Sequence, residues 1–357
     1  MPNYGPEEVA PDLEPDGPVG FWKPIRILFD IHSSTLDWRK TMPSPLRFVP
    51  EDAKLWTDSD GHPIAIAEVT IRTIQGRYLM RPSTRSTSLI LGVIAKAQER
   101  YTFQLYGYAY LSNHGSLLLG VRSAAHLSRI MNFIHSNIAR ELGRKEHSDW
   151  RGKFFERRGR AILVLSDEDV EARLKYLLSN GTKEGLVARP ERWTGAHCAR
   201  VLCQGGKDVG VWVNRSKLHR NVESHSEAEQ DASQHIQVRL SHLPSRAQLS
   251  AEQYRSFIRV ICKDIAMEAN KERNGKTPLG VHRAERMNPH FKPEETAHSP
   301  APLVHCADQE NRHRFKGAYK EFVDAFKAAC EVLVEMEWER EFPDGGLPPL
   351  WELKPAI

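Results

Sequence analysis

The strongest constraint on the fold is the order in which two hydrophobic periods alternate between residues 64 and 180. Apolar side chains at every second position are typical of half-buried strands, and apolar residues spaced by three and four are typical of helices. The segments read strand, helix, strand, strand, helix, strand, helix, at 64–71, 88–101, 103–110, 116–121, 127–142, 161–165 and 167–180. This order predicts an α+β fold, an antiparallel or mixed sheet with helices packed on one face.

The two adjacent strand segments leave a choice open. The run 103–110 is rich in aromatic residues, and only five residues separate it from the run 116–121. Such a short connection fits either two paired strands or one strand interrupted by a turn. Tyr106, Tyr108 and Tyr110 alternate along the first run, so we expect them to share one strand face, either as core residues or as a platform for stacked bases.

Beyond residue 200 the pattern weakens and then becomes helical again. Residues 204–248 contain glycine, serine and histidine clusters, which predict a linker or an irregular surface loop. Ser250 and Gln253 have capping-box spacing before an apolar helical run, and another such run extends from Phe315 to Leu333. We therefore predict an acidic, partly disordered segment at 1–61, a folded domain at 62–200, a linker at 201–245 and a helical extension at 246–357.

The charge of the chain is unevenly distributed. The formal net charge is −5 over residues 1–61, +10 over residues 62–200 and −1 over residues 201–357. A basic domain between acidic or neutral parts is the electrostatic footprint expected for binding a polyanion, most simply a nucleic acid. An arginine-rich solvated surface would have the same charge, so charge alone does not decide between the two.

Several protein classes lack their signatures in this sequence. The most apolar stretch, 117–121, is far shorter than the roughly 20 residues that a membrane span needs, and the acidic, proline-containing N-terminus does not resemble a secretory signal. Five scattered cysteines fit reduced thiols, so we expect a cytoplasmic protein. Phosphate loops, dinucleotide fingerprints and nucleophile elbows are missing, and His197, Cys198 and Cys203 are too irregularly spaced to predict a zinc site.

A series of short motifs in the central domain points to one family. The motifs are VTIRTIQGRYLMRP at 69–82, YLSNHGSLLL at 110–119, LSRIM at 127–131, GKFFERR at 152–158, YLLSN at 176–180 and KEGLV at 183–187, followed by Trp193. In this order they resemble the REP-associated, insertion-sequence-200-like single-strand tyrosine transposases, which are HUH-type enzymes. Residues 279–281 and 299–303 resemble a C-terminal extension found on one branch of chromosomally encoded members.

This resemblance implies cleavage of single-stranded DNA with the help of a metal ion. Members of the family place two histidines two residues apart on a strand, so that both imidazoles face the same side. With a further polar ligand, these imidazoles bind Mg²⁺ or Mn²⁺. The metal polarises the scissile phosphate, and a tyrosine on a nearby helix attacks it to form a phosphotyrosine link.

The sequence departs from the family pattern at both catalytic positions. His114 matches the first histidine, but Ser116 stands at the second, and a hydroxyl is a poor replacement for imidazole. The resemblance places the nucleophile at Ile138, which continues an apolar helical stripe and is therefore expected to pack in the core. Tyr176 is the remaining candidate nucleophile, with Asn180 one helical turn further on, and a buried aromatic role is its alternative.

Basic side chains occur in two groups within the central domain. The first group is Arg72, Arg77, Arg81 and Arg85, and the second is Arg151, Lys153, Arg157, Arg158 and Arg160. The second group interleaves with Trp150, Phe154 and Phe155. Alternating cations and aromatics can hold a phosphate backbone and stack unpaired bases, at about 1–3 kcal/mol per base. We predict that both groups bind nucleic acid, and a solvated surface with a few buried aromatics is the alternative.

These features predict a cytoplasmic DNA-binding protein of the transposase family that acts on single-stranded or hairpin DNA, with strand cleavage impaired or lost. One alternative is an active nicking enzyme that uses His114 and Tyr176 with Mg²⁺ or Mn²⁺. Another is a protein-interaction scaffold built on the C-terminal helices. We expect no membrane association, and a homodimer is compatible with the sequence.

Overall fold

A computed structural model describes residues 47–147, 150–220, 232–294 and 301–334. Its strands are β1 (Trp56–Thr57), β2 (Pro63–Arg72), β3 (Leu105–Tyr110), β4 (His114–Val121), β5 (Arg160–Val164), β6 (Val209–Val213), β7 (Ser233–Gln237) and β8 (Val304–His305). Its helices are α1 (Thr84–Tyr101), α2 (Ala124–Lys145), α3 (Asp167–Ser179), α4 (Ala199–Gln204), α5 (Arg215–Arg220), α6 (Ala251–Arg273), α7 (Val281–Arg286) and α8 (Gln309–Val334).

Six strands form one mixed sheet. The order is β3-β4-β2-β5-β8, with β1 paired to β2, and only the pair β5–β8 is parallel. β3 and β4 are paired antiparallel strands with Tyr110 opposite Gly115, which resolves the choice that the sequence left open. The predicted α+β class, with a mixed sheet and a helical C-terminal region, is confirmed.

Three neighbouring strands of the sheet, β3, β4 and β2, are buried on both faces. All of β3, and β2 from Ile64 to Val69, are buried residue by residue. Since successive side chains on a strand point to opposite faces, such continuous burial means that both faces are covered. On one face, Leu174 and Leu177 of α3 pack against Gly107, where a Cβ atom would lie 3.0 Å from Leu174.

The three tyrosines of β3 belong to this core. Tyr106, Tyr108 and Tyr110 are each almost fully buried. The register of β3 against β4 shifts between Leu105 and Gly107, which disrupts the simple alternation along the strand. Their burial excludes the base-stacking alternative for these rings.

The predicted helices begin at serine caps. Ser83 starts α1 and Ser250 starts α6, each with a complete capping box. Ser123 and Ser166 cap α2 and α3 by accepting hydrogen bonds from backbone N–H groups three residues on. These caps satisfy backbone donors that would otherwise have no partner in the first helical turn, which explains why the helices begin where they do.

The prediction of a linker or irregular loop at 201–245 is wrong for much of this stretch. β6 and β7 pair as an antiparallel ribbon with Gly210 opposite Ile236, and the ribbon packs on α1. The contact is between backbones, because a Cβ atom on Gly92 would lie 2.1 Å from the carbonyl oxygen of Val211. Residues 221–231 of the predicted linker lie outside the described residues.

The C-terminal region is joined to the central domain by strand pairing and by aromatic packing. β8 extends the sheet alongside β5, with Val304 opposite Leu163. Phe48 packs against Phe315 and Phe322 of α8, with ring centroids 5.5 and 4.9 Å apart. Residues 1–46 of the segment predicted to be partly disordered (1–61), and the part of the predicted extension beyond residue 334, lie outside the described residues. Among the described helices, none has the length and apolar character to cross a membrane.

Candidate nucleic-acid site

His114 opens β4 at the end of the sheet where β2 finishes. It lies opposite Arg72, and Ser116 lies opposite Thr70. The Nδ1 atom of His114 is 2.8 Å from Oδ1 of Asn113. Because paired residues of antiparallel strands point to the same face, His114, Ser116 and Arg72 share one side of the sheet.

The surroundings of His114 keep its imidazole neutral. Burial lowers the pKa of His114 to about 4, and the charges of Lys183 and Arg72 act in the same direction, while a hydrogen bond with Asn180 opposes them. At neutral pH the ring is therefore uncharged and lies among cations. Such an environment favours an anionic ligand over a metal cation.

The C-terminal end of α3 brings Tyr176 to the same neighbourhood. Tyr176 is 44% exposed, and the Lys183 ammonium nitrogen lies 3.4 Å from the centre of its ring. The Arg173 guanidinium lies 4.8 Å from the same centre. The exposure rules out the buried aromatic role that we considered, and both cations flank an accessible ring.

Arg173 is positioned by a buried carboxylate on the sheet. Glu68 of β2 is almost fully buried, and its carboxylate lies 3.6 Å from Arg173 and 2.8 Å from His305 of β8. Replacing this carboxylate by a neutral group would leave the Arg173 guanidinium without its anion. Glu68 therefore fixes Arg173 beside Tyr176 and is not available as a ligand for a metal at His114.

A tight turn after α3 places Lys183. Asn180 caps the helix with its side chain buried beside His114, and Gly181 has a φ of +87°, a conformation that suits glycine. The Glu184 carboxylate accepts a hydrogen bond from the Gly181 N–H and closes the turn. Lys183 thus extends over Tyr176 as a consequence of the backbone path.

The side chains around His114 do not fit a divalent metal ion. Among the described residues, His114 belongs to no group of three histidine, cysteine or carboxylate ligands close enough to share an ion. Ser116 is buried two residues on, and Lys183 and Arg72 contribute positive charge. Mg²⁺ and Mn²⁺ need several carboxylate, carbonyl or imidazole ligands together, and the described residues add no carboxylate or second imidazole that completes such a set with His114.

The described residues do contain one acidic cluster with a histidine, at the turn between β1 and β2. Ligand atoms of Asp58, Asp60 and His62 lie within 4.8 Å of one another. Arg122 already occupies this cluster, with its guanidinium 2.6 Å from Asp58 and 2.9 Å from Asp60. The cluster also stands at the opposite end of β2 from His114, roughly 30 Å away along the strand.

Ile138 lies in the core and not at this site. Its side chain is 1% exposed on α2, and Leu142 on the next turn is fully buried. The packing role predicted for Ile138 agrees with this burial. The nucleophile position that the resemblance suggested therefore has no access to DNA.

The structure brings the two basic groups together. The backbone following β2 runs beside residues 154–156, where the Ile74 N–H donates to the Phe154 carbonyl and the Glu156 N–H donates to the Arg72 carbonyl. Thr73 and Phe155 form an antiparallel bridge at the same place. Arginines more than 70 residues apart in sequence thus lie on adjacent segments at the His114 end of the sheet.

The members of the two groups differ in exposure. Four members of the second group are exposed at the surface: Arg151, Lys153, Arg157 and Arg158. Arg72 lies 4.0 Å from Glu156, and Arg85, also exposed, lies 3.7 Å from Glu146. Arg160 is half-buried on β5. The surface of the second group is therefore the more accessible of the two.

Aromatic residues of the second group divide between surface and core. The Arg77 guanidinium lies 5.3 Å from the centre of the half-buried Trp150 ring. Phe154 is buried, and Phe155 is half-buried against His135 at a centroid distance of 5.8 Å. Only Trp150 combines an accessible ring with a neighbouring cation, so it is the one ring of these three that can stack a base.

Three cations near the site were missed from the sequence. Lys183 lies within the KEGLV motif, but its approach to Tyr176 depends on the turn at Gly181. Arg173 could not be identified from the sequence, because its partner Glu68 lies on β2 and also contacts His305 of β8. Arg47 precedes the predicted domain. Burial and the nearby charge of Arg158 lower the pKa of Arg47.

The cysteines and His197 give no sign of a zinc site. Nδ1 of His197 accepts a hydrogen bond from the Ala199 N–H, and burial lowers the pKa of His197 to about 4. Cys203 instead faces Cys262 of α6, with the two sulfur atoms 3.3 Å apart. The cysteines whose side chains are described are free thiols, in agreement with the predicted reduced state.

Comparison with known proteins gives weak structural likenesses only. No protein-family model matches the sequence, and no curated protein matches it. A REP-associated tyrosine transposase bound to a REP hairpin is 15% identical and has a TM-score of 0.31, over 40% of this chain and 81% of that chain. A candidate transposase from Deinococcus radiodurans R1 is 11% identical with a TM-score of 0.27, over 35% of this chain and 97% of that chain.

Proposed function

We propose that this protein binds single-stranded or hairpin DNA at the His114 end of its sheet, and that binding needs no metal ion at His114. The observation that carries the proposal is the backbone pairing that joins residues 72–74 to residues 154–156. This pairing gathers two groups of cations beside Trp150, Tyr176 and Lys183. Cations next to accessible aromatic rings provide phosphate contacts and base stacking, which single strands require.

The proposal extends the transposase resemblance without its cleavage chemistry. A member of that family that retains DNA recognition but lacks the second histidine would bind a strand without a metal to polarise the phosphate. The neutral His114 would then accept or donate a hydrogen bond at the bound backbone. We place such a protein in the cytoplasm, where its five thiols remain reduced.

The salt dependence of binding tests this function. The dissociation constant of a labelled hairpin oligonucleotide is measured between low and physiological salt for the wild type and for the double variant Arg157→Gln, Arg158→Gln. We expect the variant to bind more weakly and to lose about 1.4 from the slope of log K against log salt, because each single-strand phosphate contact contributes about 0.7.

A matched control removes two charges elsewhere. Lys263 and Lys271 are exposed on α6 and belong to neither basic group, and the double variant Lys263→Gln, Lys271→Gln should bind like the wild type. Equal losses in both double variants would show that only overall charge matters. Salt-independent binding, or no binding to any DNA tested, would instead favour the protein-interaction scaffold.

A DNA-nicking activity is the second candidate, and the exposure of Tyr176 between two cations favours it. In that reaction the Tyr176 phenol oxygen bonds to phosphorus, a sugar oxygen leaves, and the phenol proton ends on the leaving hydroxyl. Incubating labelled hairpin DNA with Mn²⁺ and resolving the products under denaturing conditions tests it. A covalent adduct that disappears in Tyr176→Phe would establish cleavage and contradict the loss of catalysis.

A further inference from the structure

A segment of the C-terminal region lies across the basic end of the central domain. Backbone hydrogen bonds from the Leu279 and Gly280 N–H groups to the carbonyls of Gly185 and Leu186, at 2.8 and 2.9 Å, anchor its start. α7 and the residues up to Phe291 then follow. We call residues 285–291 the covering segment.

The covering segment accepts hydrogen bonds from two arginines of the first basic group. Arg81 donates through Nη1 to the carbonyl oxygens of Glu285 and Met287, at 3.3 and 3.2 Å. Arg77 donates through Nη1 to the carbonyl oxygen of His290. Three backbone carbonyls thus occupy guanidinium donors that phosphate oxygens would otherwise take.

The covering segment also stacks on the accessible aromatic rings. The His290 ring lies over Trp150 with centroids 5.6 Å apart and planes 14° from parallel. Phe291 stacks on Tyr78 at 5.8 Å and 24°. A planar heterocycle on Trp150, beside the Arg77 guanidinium, has the arrangement that an unpaired base would adopt there.

The contacts that hold the covering segment are weak enough to exchange. Phe291 remains 52% exposed, and among residues 281–291 only Ala284 is buried. Its carbonyls are neutral acceptors, whereas phosphate oxygens make charge-assisted hydrogen bonds that are roughly twice as strong. A polyanion therefore has the advantage at the same guanidinium groups.

We propose that the covering segment is an intramolecular competitor of single-stranded DNA for Arg77, Arg81, Trp150 and Tyr78. This inference rests on the proposed DNA-binding function and adds a base-stacking subsite and its regulation. DNA binds at full strength only when the segment has moved away. The apparent dissociation constant is then the intrinsic one divided by the fraction of molecules in which the surface is open.

The first test compares affinities for a labelled oligothymidine of about 15 nucleotides, within the range of single-strand sites. The double variant His290→Ala, Phe291→Ala removes both stacked rings and should bind about 3- to 10-fold more tightly than the wild type, because its open fraction rises. Met267→Ala, an exposed change on α6, is the control and should bind like the wild type. Trp150→Ala should weaken binding in both backgrounds.

The second test needs no variant. Hydrogen exchange of the backbone amides at residues 281–291 is followed in the wild type before and after saturation with the same oligothymidine. Faster exchange in the bound state is expected, since displaced residues lose their packing. Unchanged or slower exchange in the bound state would overturn the competitor role.

Different results would overturn the DNA-binding function and the competitor role. If neither the wild type nor the variant His290→Ala, Phe291→Ala binds DNA, the proposed function is wrong and the competitor role fails with it. Suppose instead that binding by the wild type depends on Arg157 and Arg158, and that His290→Ala, Phe291→Ala binds as tightly as the wild type or more weakly. DNA binding then stands and the competitor role is wrong.

Discussion

The ammonium nitrogen of Lys183 lies 3.4 Å from the centre of the Tyr176 ring, and the same charge lowers the pKa of the half-buried His114. One lysine therefore links an exposed aromatic ring on α3 to the histidine that opens β4. This relationship defines the cationic site, and it has consequences that can be measured residue by residue.

Replacing Lys183 by methionine should raise the pKa of His114 above its value of about 4. Removing a nearby positive charge makes the protonated imidazole less unfavourable. An NMR titration of the imidazole signals gives the value directly. Lys175→Met is the control, because Lys175 lies on the same helix but is paired with Glu268 at 2.7 Å. An unchanged pKa of His114 in Lys183→Met would show that the charge of Lys183 does not act on His114.

Stability should fall as the pH is lowered from 7 towards 5. Burial lowers the pKa values of His114 and His197 to about 4 and of His135 to about 3. The unfolded chain, with histidine pKa values near about 6.5, binds more protons in this window, so each histidine costs up to about 1.4 kcal/mol per pH unit below about pH 6.5.

Urea unfolding at several pH values measures this effect. His197→Gln should flatten the dependence, because it removes one of the groups that must stay neutral in the folded state. His282→Gln should not, since the His282 side chain is 94% exposed. If the stability of the wild type and of His197→Gln depended on pH in the same way, the lowered pKa of His197 would be contradicted.

Gly92→Ala should destabilise the protein by about 1–3 kcal/mol or more, because the new Cβ collides with the β6 backbone. Gly143→Ala is the matched change, with no atom within 4 Å of the added Cβ. Since Gly143 is also helical, its replacement should stabilise by about 0.5–1 kcal/mol. Denaturant unfolding of both variants compares them, and equal effects would argue against ribbon packing on α1.

Ile138→Ala and Tyr176→Ala should act in opposite ways. Ile138 is buried, so its truncation should cost about 2–5 kcal/mol of stability and leave DNA affinity unchanged in the folded protein. Tyr176 is exposed, so its truncation should cost little stability but weaken DNA binding. Unfolding curves and binding isotherms for both variants distinguish a core residue from a site residue.

The central fold could be predicted because apolar residues are concentrated in its segments. β2 and β4 are apolar along most of their length, α2 carries apolar residues spaced by three and four, and serines precede the helices, so local sequence carries the necessary information. The β6–β7 ribbon was missed because its packing depends on two glycines, Gly92 and Gly210, that meet only in three dimensions. A stretch of glycine, serine and histidine gives no sign of such a contact.

The site was only partly accessible to sequence reasoning. The basic groups and Tyr176 could be identified from residue type, but Lys183 and Arg173 reach the ring through the turn at Gly181 and the ion pair with Glu68. Spacing along the chain suggested Ile138 as a nucleophile position, and spacing does not show which helix faces His114. In the structure Ile138 is buried and Tyr176 is exposed.

Photo-crosslinking tests most directly where DNA binds. An oligothymidine carrying 4-thiothymidine is irradiated in complex with the full chain, and the linked peptides are identified by mass spectrometry. Crosslinks are expected within residues 72–81, 150–158 and 173–183. Crosslinks confined to α6 or α8, with these three segments unmodified, would contradict it.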